Sequence, residues 1–243
     1  MTVTVRLADG RAAVAVRPQT PADLPGAVAA LGLGAPLPVV AVVGGAAGID
    51  EQTMDELFTL FTDVIAPVIR ERGAVAVDGG TDSGVMRLLG RARAAGAPFP
   101  LVGVPALDTV HFPGHRGAHP GTAALEPHHS HFVLVPGAKW GDEAPWLAGV
   151  ASALSTGRGG VTVLVNGGEI TVEDARCSVA EGRPVLVLAG TGRTADKIAA
   201  AVADPASCRD SRIAELAKSA IVRVADVADR TAAAAQLRGS LAL

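Results

Sequence analysis

Seven short, nearly continuous apolar and β-branched runs punctuate this chain: Pro38–Val43, Ala74–Val77, Pro100–Val104, Phe132–Val135, Val161–Val165, Val185–Leu188 and Ile221–Val224. A strand with one wet face alternates apolar with polar residues, so unbroken runs require a sheet covered on both faces, which is the signature of parallel sheets. The intervening segments Asp50–Arg72, Ser83–Ala95, Asp142–Ser155, Thr171–Glu181, Thr194–Ala203 and Ser207–Ser219 carry helical periodicity. Strand and helix in alternation predict an α/β fold: a doubly wound, mostly parallel sheet of about seven strands with helices on both faces. Upstream, Thr2–Leu7 and Ala12–Arg17 alternate around Ala8-Asp9-Gly10-Arg11 and read as a β-hairpin. A Pro-rich stretch with a short helix over Ala22–Leu31 follows, so residues 1–37 are expected to pack as hairpin and helix on a main domain of residues 38–243.

Composition limits what such a fold can do. The 243 residues suit one sizeable domain, and with 3% aromatic content and no Tyr the core is built from Ala, Val, Leu and Ile. Few aromatics, a net charge of −3 and interspersed charges argue against a nucleic-acid partner. Cys177 and Cys208 lack metal-type spacing, which fits inert thiols in a reducing compartment. Arg6 and Asp9 precede any apolar stretch, so no signal peptide is expected. The apolar segment around Val39–Ala47 is far shorter than the ~20 residues that span a bilayer. The expectation is a cytoplasmic protein without membrane insertion.

The 29 glycines have no collagen-like period. Four clusters follow predicted strands directly: Gly44-Gly45-Ala46-Ala47-Gly48, Asp78-Gly79-Gly80-Thr81-Asp82-Ser83-Gly84, Asn166-Gly167-Gly168-Glu169 and Gly190-Thr191-Gly192-Arg193-Thr194. Ligands of open parallel sheets bind at the carboxyl ends of the strands, where missing side chains admit close approach to the backbone. Tight strand-to-helix turns need glycine in any case, so one cluster alone decides little; four at one end of a sheet point to a crevice. The last cluster offers amides, two hydroxyls and the Arg193 guanidinium at a helix start, which suits a phosphate or diphosphate. Asp196 reads either as a cap of that helix or as an acceptor for a ribose hydroxyl. Asp78 and Asp82 would repel phosphate and suit ribose hydroxyls or a cation, while Thr81 and Ser83 are expected to cap the next helix.

Other standard sites are absent. The first cluster lacks the Gly-x-Gly-x-x-Gly register with an acidic residue about 20 positions on, and no Gly-x-x-x-x-Gly-Lys-Ser/Thr occurs. All six histidines lie in one window, His111, His115, His119, His128, His129 and His131. Pro113, Gly114 and Gly117 oppose the helix that would align the first three, so a polar loop is expected there and no metal site. The aperiodic segment 105–130 is long enough to be functional or mobile. Trp140 and Trp146 flank Gly141-Asp142-Glu143, as an anchor for a helix start or as a lid over a base.

Taken in order, Asp78-Gly79-Gly80-Thr81-Asp82-Ser83-Gly84-Val85-Met86, Leu125-Glu126-Pro127-His128-His129-Ser130-His131-Phe132-Val133-Leu134-Val135, Trp140-Gly141-Asp142-Glu143, Asn166-Gly167-Gly168 and Gly190-Thr191-Gly192-Arg193-Thr194-Ala195-Asp196 resemble the prokaryotic LSDAT branch of the SLOG superfamily. That branch is related to the cytosolic N-terminal homology region of melastatin-type TRP channels. The resemblance covers about Val39 to Val224 and leaves out the hairpin. It implies a Rossmann-like fold and a ligand of the ADP-ribose or NAD type, with no cofactor certain. Carried onto this sequence, the implied ligand contacts are Gly44, Gly45, Thr81, Asp82, Ser83, Gly84, Val85, Met86, Gly190, Thr191, Gly192 and Arg193; Asp78, Gly79, Gly80, His129, Asn166, Gly167, Gly168 and Thr194 complete the set of candidate ligand-binding residues, with no catalytic residue assigned.

Two departures stand out. The channels' Gly-Ile-x-x-Trp-Gly turn reads Gly103-Val104-Pro105-Ala106-Leu107 here and lacks the tryptophan. More distant phosphoribohydrolases carry Pro-Gly-Gly-x-Gly-Thr followed by a helical glutamate, where this chain has Met86-Arg87. Hydrolysis would therefore rest on Asp78, Asp82 or Glu143. The leading expectation is a non-enzymatic sensor of a nucleotide-derived ligand. The alternatives are a hydrolase cleaving an N-glycosidic or diphosphate bond in the same crevice, and an interaction module using segment 105–130. A homo-oligomer or an effector protein is the partner expected of a stand-alone sensor.

Overall fold

The computed structural model describes residues 2–241. Among them the strands are β1 (Thr2–Arg6), β2 (Ala12–Val16), β3 (Val39–Gly44), β4 (Val75–Asp78), β5 (Leu101–Gly103), β6 (Val110–His111), β7 (Ala123–Ala124), β8 (His131–Val133), β9 (Gly160–Val165), β10 (Val185–Ala189) and β11 (Val222–Asp226). The helices are α1 (Leu24–Ala30), α2 (Glu51–Leu60), α3 (Ala66–Glu71), α4 (Gly84–Ala94), α5 (Ala144–Ser155), α6 (Glu169–Ala180), α7 (Arg193–Ala203), α8 (Ser211–Lys218) and α9 (Arg230–Ser240).

One sheet runs in the order β1-β2-β8-β5-β4-β3-β9-β10-β11, and every pairing but β1–β2 is parallel. It has nine strands where the apolar runs alone predict seven. The difference is the hairpin, which continues the sheet: β2 lies parallel to β8 with Val14 opposite His131 and Val16 opposite Val133.

The unbroken apolar runs are explained by which way alternate residues point. Val40 and Val42 of β3 pack under α2, α3, α4 and α9, whereas Val39, Ala41 and Val43 pack against α1, α5, α6, α7 and α8. All five are essentially inaccessible to solvent. A third, smaller cluster joins Val5, Leu7, Ala13 and Ala15 of the hairpin region to Leu125, Phe132 and Leu134.

Local chemistry sets the helix boundaries. Asp50 caps α2 by accepting from the Thr53 amide at 2.9 Å. The single helix expected over Asp50–Arg72 is widened in its middle: Phe61–Ile65 is π-helical, with the Ala66 amide donating five residues back to the Phe61 carbonyl. Pro67, next in line, has no amide to donate and so favours a break in the regular ladder. The Ala-rich segment near the C-terminus is α9; Asp229 caps it by accepting from the Ala232 amide at 2.9 Å. Segment 105–130 is anchored by the parallel β6–β7 pair and a bridge between Thr81 and Leu125.

Candidate functional site

The chain builds β3, β4, β5 and β8 outward in one direction, then returns through α5 to lay β9, β10 and β11 on the other side of β3. The reversal leaves a crevice between the carboxyl ends of β3 and β9, where open α/β sheets hold ligands. A cavity of about 580 Å³ occupies it. Its walls are the backbone of Gly44, Gly45, Ala46 and Ala47 after β3, Gly79, Thr81 and Ser83 after β4, and Gly168 to Thr171 after β9. Met86, Pro105, Ala106, Thr109, Ala123, Leu147 and Arg193 complete it, with Trp140 and Ile170 on its lining as two of the exposed large apolar side chains.

Of the residues singled out from sequence, Gly44, Gly45, Gly79, Thr81, Ser83, Met86, Gly168 and Arg193 line this cavity. Asp78, Gly80, Asp82, Gly84, Val85, His129, Asn166, Gly167, Gly190, Thr191, Gly192 and Thr194 do not, and the structure gives many of them other work. Asp78 is fully buried; its Oδ1 accepts from the Gly80 amide at 2.7 Å and lies 2.8 Å from His129 Nε2. His129 Nδ1 lies 2.7 Å from Glu126 Oε2, and His128 Nδ1 lies 2.6 Å from Glu126 Oε1. Burial opposes charging His129, but Asp78 and Glu126 outweigh it and raise its pKa to about 9. Glu126 is likewise held below its usual value: burial pushes upward, and hydrogen bonds from the two histidines prevail. His129 thus braces the loop after β4 from behind. Asp82 faces outward to Arg87 at 2.6 Å.

The expected hydroxyl caps on α4 are not made. Ser83 occupies the cap position without a side-chain bond, and the Val85 amide donates instead to the Gly45 carbonyl at 3.0 Å. Gly84 makes this docking possible, since at a left-handed φ of 43° a Cβ there would overlap the Gly45 carbonyl.

The turns after β9 and β10 are tied together. Asn166, at φ 58°, donates from Nδ2 to the Thr191 carbonyl at 2.6 Å and from its amide to the Thr191 hydroxyl at 2.8 Å. That hydroxyl donates in turn to the Leu188 carbonyl, and the Thr194 hydroxyl donates to the Gly168 carbonyl. Asp196 accepts from the amides of Gly190 at 2.7 Å and Gly192 at 3.2 Å, so a carboxylate of the chain itself fills the amide cradle that the sequence suggested for phosphate. Arg193 remains exposed at the cavity wall beside Gly168. It has a left-handed φ of 55°, and its Nη1 donates to the Ala47 carbonyl at 2.8 Å.

Sequence reasoning missed Asp174 as a lining residue and named Glu143 only as a candidate acid; both face the cavity. Glu143 Oε2 accepts from the Gly141 amide at 2.9 Å. Burial, with Asp142 adding to it, raises the Glu143 pKa. Burial also lifts Asp174 well above the usual carboxylate range, reinforced by the charges of Glu143 and Glu173. Asp174 keeps some exposure, which is to the cavity, while protein packs densely around its carboxyl. Of the three carboxyls the sequence offered for hydrolysis, only Glu143 reaches the crevice. The histidines disperse: His111 bonds Thr122, His115 bonds the Leu107 carbonyl, and His119 sits edge-on to Trp140. Among the described residues no three His, Cys, Asp or Glu side chains gather as a metal site.

The family model for the SLOG domain found in TRPM proteins, in its prokaryotic form (LSDAT), matches residues 37–235. The chain belongs to this LSDAT family. Transient receptor potential cation channel subfamily M member 2 of Rattus norvegicus is 26% identical to this LSDAT chain over 212 residues, covering 72% of the chain; the mouse channel matches to the same extent. The chain spans 14% of the length of each channel. No helix among the described residues is long and apolar enough to cross a membrane. The solved structure of TM1055, a structural-genomics target, aligns with a TM-score of 0.58 and 20% identity over 84% of this chain and 99% of that one, a likeness of fold alone.

Proposed function

We propose that the crevice binds a nucleotide-derived ligand of the ADP-ribose or NAD type, and that binding is the output of this domain. The observation that carries the reading is the cavity of about 580 Å³ at the switch point of the sheet, within the range of small-molecule sites. Three glycine turns bare their backbone to it, and the Arg193 guanidinium stands at the Gly168 wall to take phosphate. Trp140 and Ile170 supply an apolar surface for a base. The free thiols Cys177 and Cys208 accord with a cytoplasmic setting.

A thermal-shift series with ADP-ribose, NAD, cyclic ADP-ribose and AMP tests this reading. Ligand at 100 times its Kd adds about 2.7 kcal/mol of stability. At this size the shift is several degrees, roughly 2–4 °C per kcal/mol. Silence from all four ligands rejects the reading. Arg193→Ala is expected to weaken phosphate-bearing ligands and leave nucleosides unaffected.

A second reading, hydrolysis of an N-glycosidic or diphosphate bond, draws on Glu143, a carboxyl with raised pKa in the cavity wall. Analysis of the ligand after incubation separates the two: breakdown that Glu143→Gln abolishes favours the enzyme.

A further inference from the structure

Glu143 and Asp174 place two carboxyl groups on the same cavity as Arg193, and among the described residues neither is in an ion pair. Glu143 engages one oxygen with the Gly141 amide. The Asp174 carboxyl accepts no hydrogen bond among the described residues, although its own backbone carbonyl takes the Ser178 hydroxyl. The charged groups of the elements packed around α6 leave it that way. From the turn before α5 come Glu143 itself and Asp142; from α8, Arg212 is paired with Asp210 and Glu169. On α6, Arg176 is paired with Glu173 and with Glu215 of α8. On α7, the Arg193 guanidinium bonds the Ala47 carbonyl on the other wall.

Position adds a polarity to the cavity. Arg193 lies against Gly168, where α6 begins, and Asp174 lies six residues further along that helix. At 1.5 Å of rise per residue the two are about 9 Å apart along the axis. A ligand with phosphate at Arg193 that extends along α6 brings its far end to the carboxyls.

We propose that the site selects a nucleotide whose far end is a cationic ring, with phosphate against Arg193 and the ring charge between Glu143 and Asp174; the chemical class is a pyridinium nucleotide. The inference rests on the nucleotide reading above and adds the charge of the far end to it. After burial, the Glu143 charge is the largest contribution to the raised Asp174 pKa, so the two carboxyls are near enough to act on each other. A positive ring beside both carboxyls supplies the counter-charge that the pair lacks.

NAD in its oxidised and reduced forms is the discriminating pair of probes, because the two share adenosine and diphosphate and differ in ring charge. The intact protein is titrated calorimetrically at pH 7 with oxidised NAD, reduced NAD and ADP-ribose. Wild type is expected to bind oxidised NAD at least tenfold more tightly than reduced NAD. In Asp174→Asn and in Glu143→Gln that ratio falls toward one, and melting curves establish that each variant is folded. Equal affinity for the two forms in wild type, or a ratio that survives both substitutions, overturns the inference. ADP-ribose binding that requires Mg²⁺ and is lost in Asp174→Asn overturns it too, by assigning the pair to a metal. ADP-ribose binding with no preference for oxidised NAD sinks this inference alone, whereas no binding of any probe sinks the nucleotide reading with it.

Discussion

His129 lies between Asp78 and Glu126, with Nε2 2.8 Å from Asp78 Oδ1 and Nδ1 2.7 Å from Glu126 Oε2. Both ring nitrogens face carboxyl groups, and with its pKa raised to about 9 the ring is an imidazolium at neutral pH that donates to each. The charge is entirely buried, and it joins the end of β4 to segment 125–130 directly behind the cavity loop Gly79–Ser83. Removing the ring leaves two buried carboxylates facing each other. His129→Gln is expected to cost roughly 3–5 kcal/mol, read from urea denaturation.

The same triad gives stability a pH dependence. Folding raises the His129 pKa from 6.5 to about 9, so the folded state binds the proton more tightly than the unfolded state does. The contribution is complete below about pH 6.5 and is lost as pH rises through about 9. The stability difference between wild type and His129→Gln should therefore shrink between pH 6.5 and 9.5. A constant difference across that window would show that the ring is neutral in the fold.

Gly90, on α4, backs onto the far side of the same triad. A Cβ built there would overlap the Glu126 carboxyl group. Gly→Ala within a helix ordinarily stabilises by roughly 0.5–1 kcal/mol. Here the methyl displaces Glu126 from His129, and Gly90→Ala is expected to destabilise by about 2 kcal/mol or more. Combined with His129→Gln, the two losses should be less than additive, because they break one network. Full additivity would place Glu126 outside that network.

The parts of this fold that were legible in the sequence are those where burial leaves a local mark. Val39 to Val43 read as a strand because both of its faces are covered, and the glycine turns read as a crevice because they follow strands. The pairing of β2 with β8 left no such mark, since nothing within Val14–Val16 names a partner more than a hundred residues away. The helix α9 hid in an alanine run whose one explicit signal was Asp229 at its start. Asp174 was invisible because it sits among Glu173 and Arg176 on one helix, and only packing against α5 turns it toward the cavity. Many of the glycine-cluster residues hold turns together instead. A backbone amide recruited by Asp196 and one open to ligand look the same in sequence.

Asp196 gives that last distinction an experimental form. Its carboxylate accepts from the Gly190 and Gly192 amides, and it puts negative charge where a phosphate would approach Arg193. Asp196→Ala is expected to lower stability by about 1 kcal/mol, as for the loss of a helix cap. Both amides are then open, and affinity for AMP is expected to rise several-fold. If AMP affinity is unchanged while stability falls, the cradle after β10 lies outside the phosphate site.

Arg193 combines an unfavourable backbone with an exposed, reaching side chain. Its φ of 55° falls in the left-handed region, which costs a non-glycine residue roughly 1–2 kcal/mol. Neither Arg193→Gly nor Arg193→Ala keeps the guanidinium bond to the Ala47 carbonyl, so a comparison of the two isolates the backbone. Arg193→Gly is expected to be about 1 kcal/mol more stable than Arg193→Ala, because glycine adopts this conformation without a Cβ clash. Both should weaken AMP binding by the same factor, since the charge is lost in each. Equal stability of the two variants would mean that position 193 relaxes out of the left-handed region, and unchanged AMP affinity would remove Arg193 from the site.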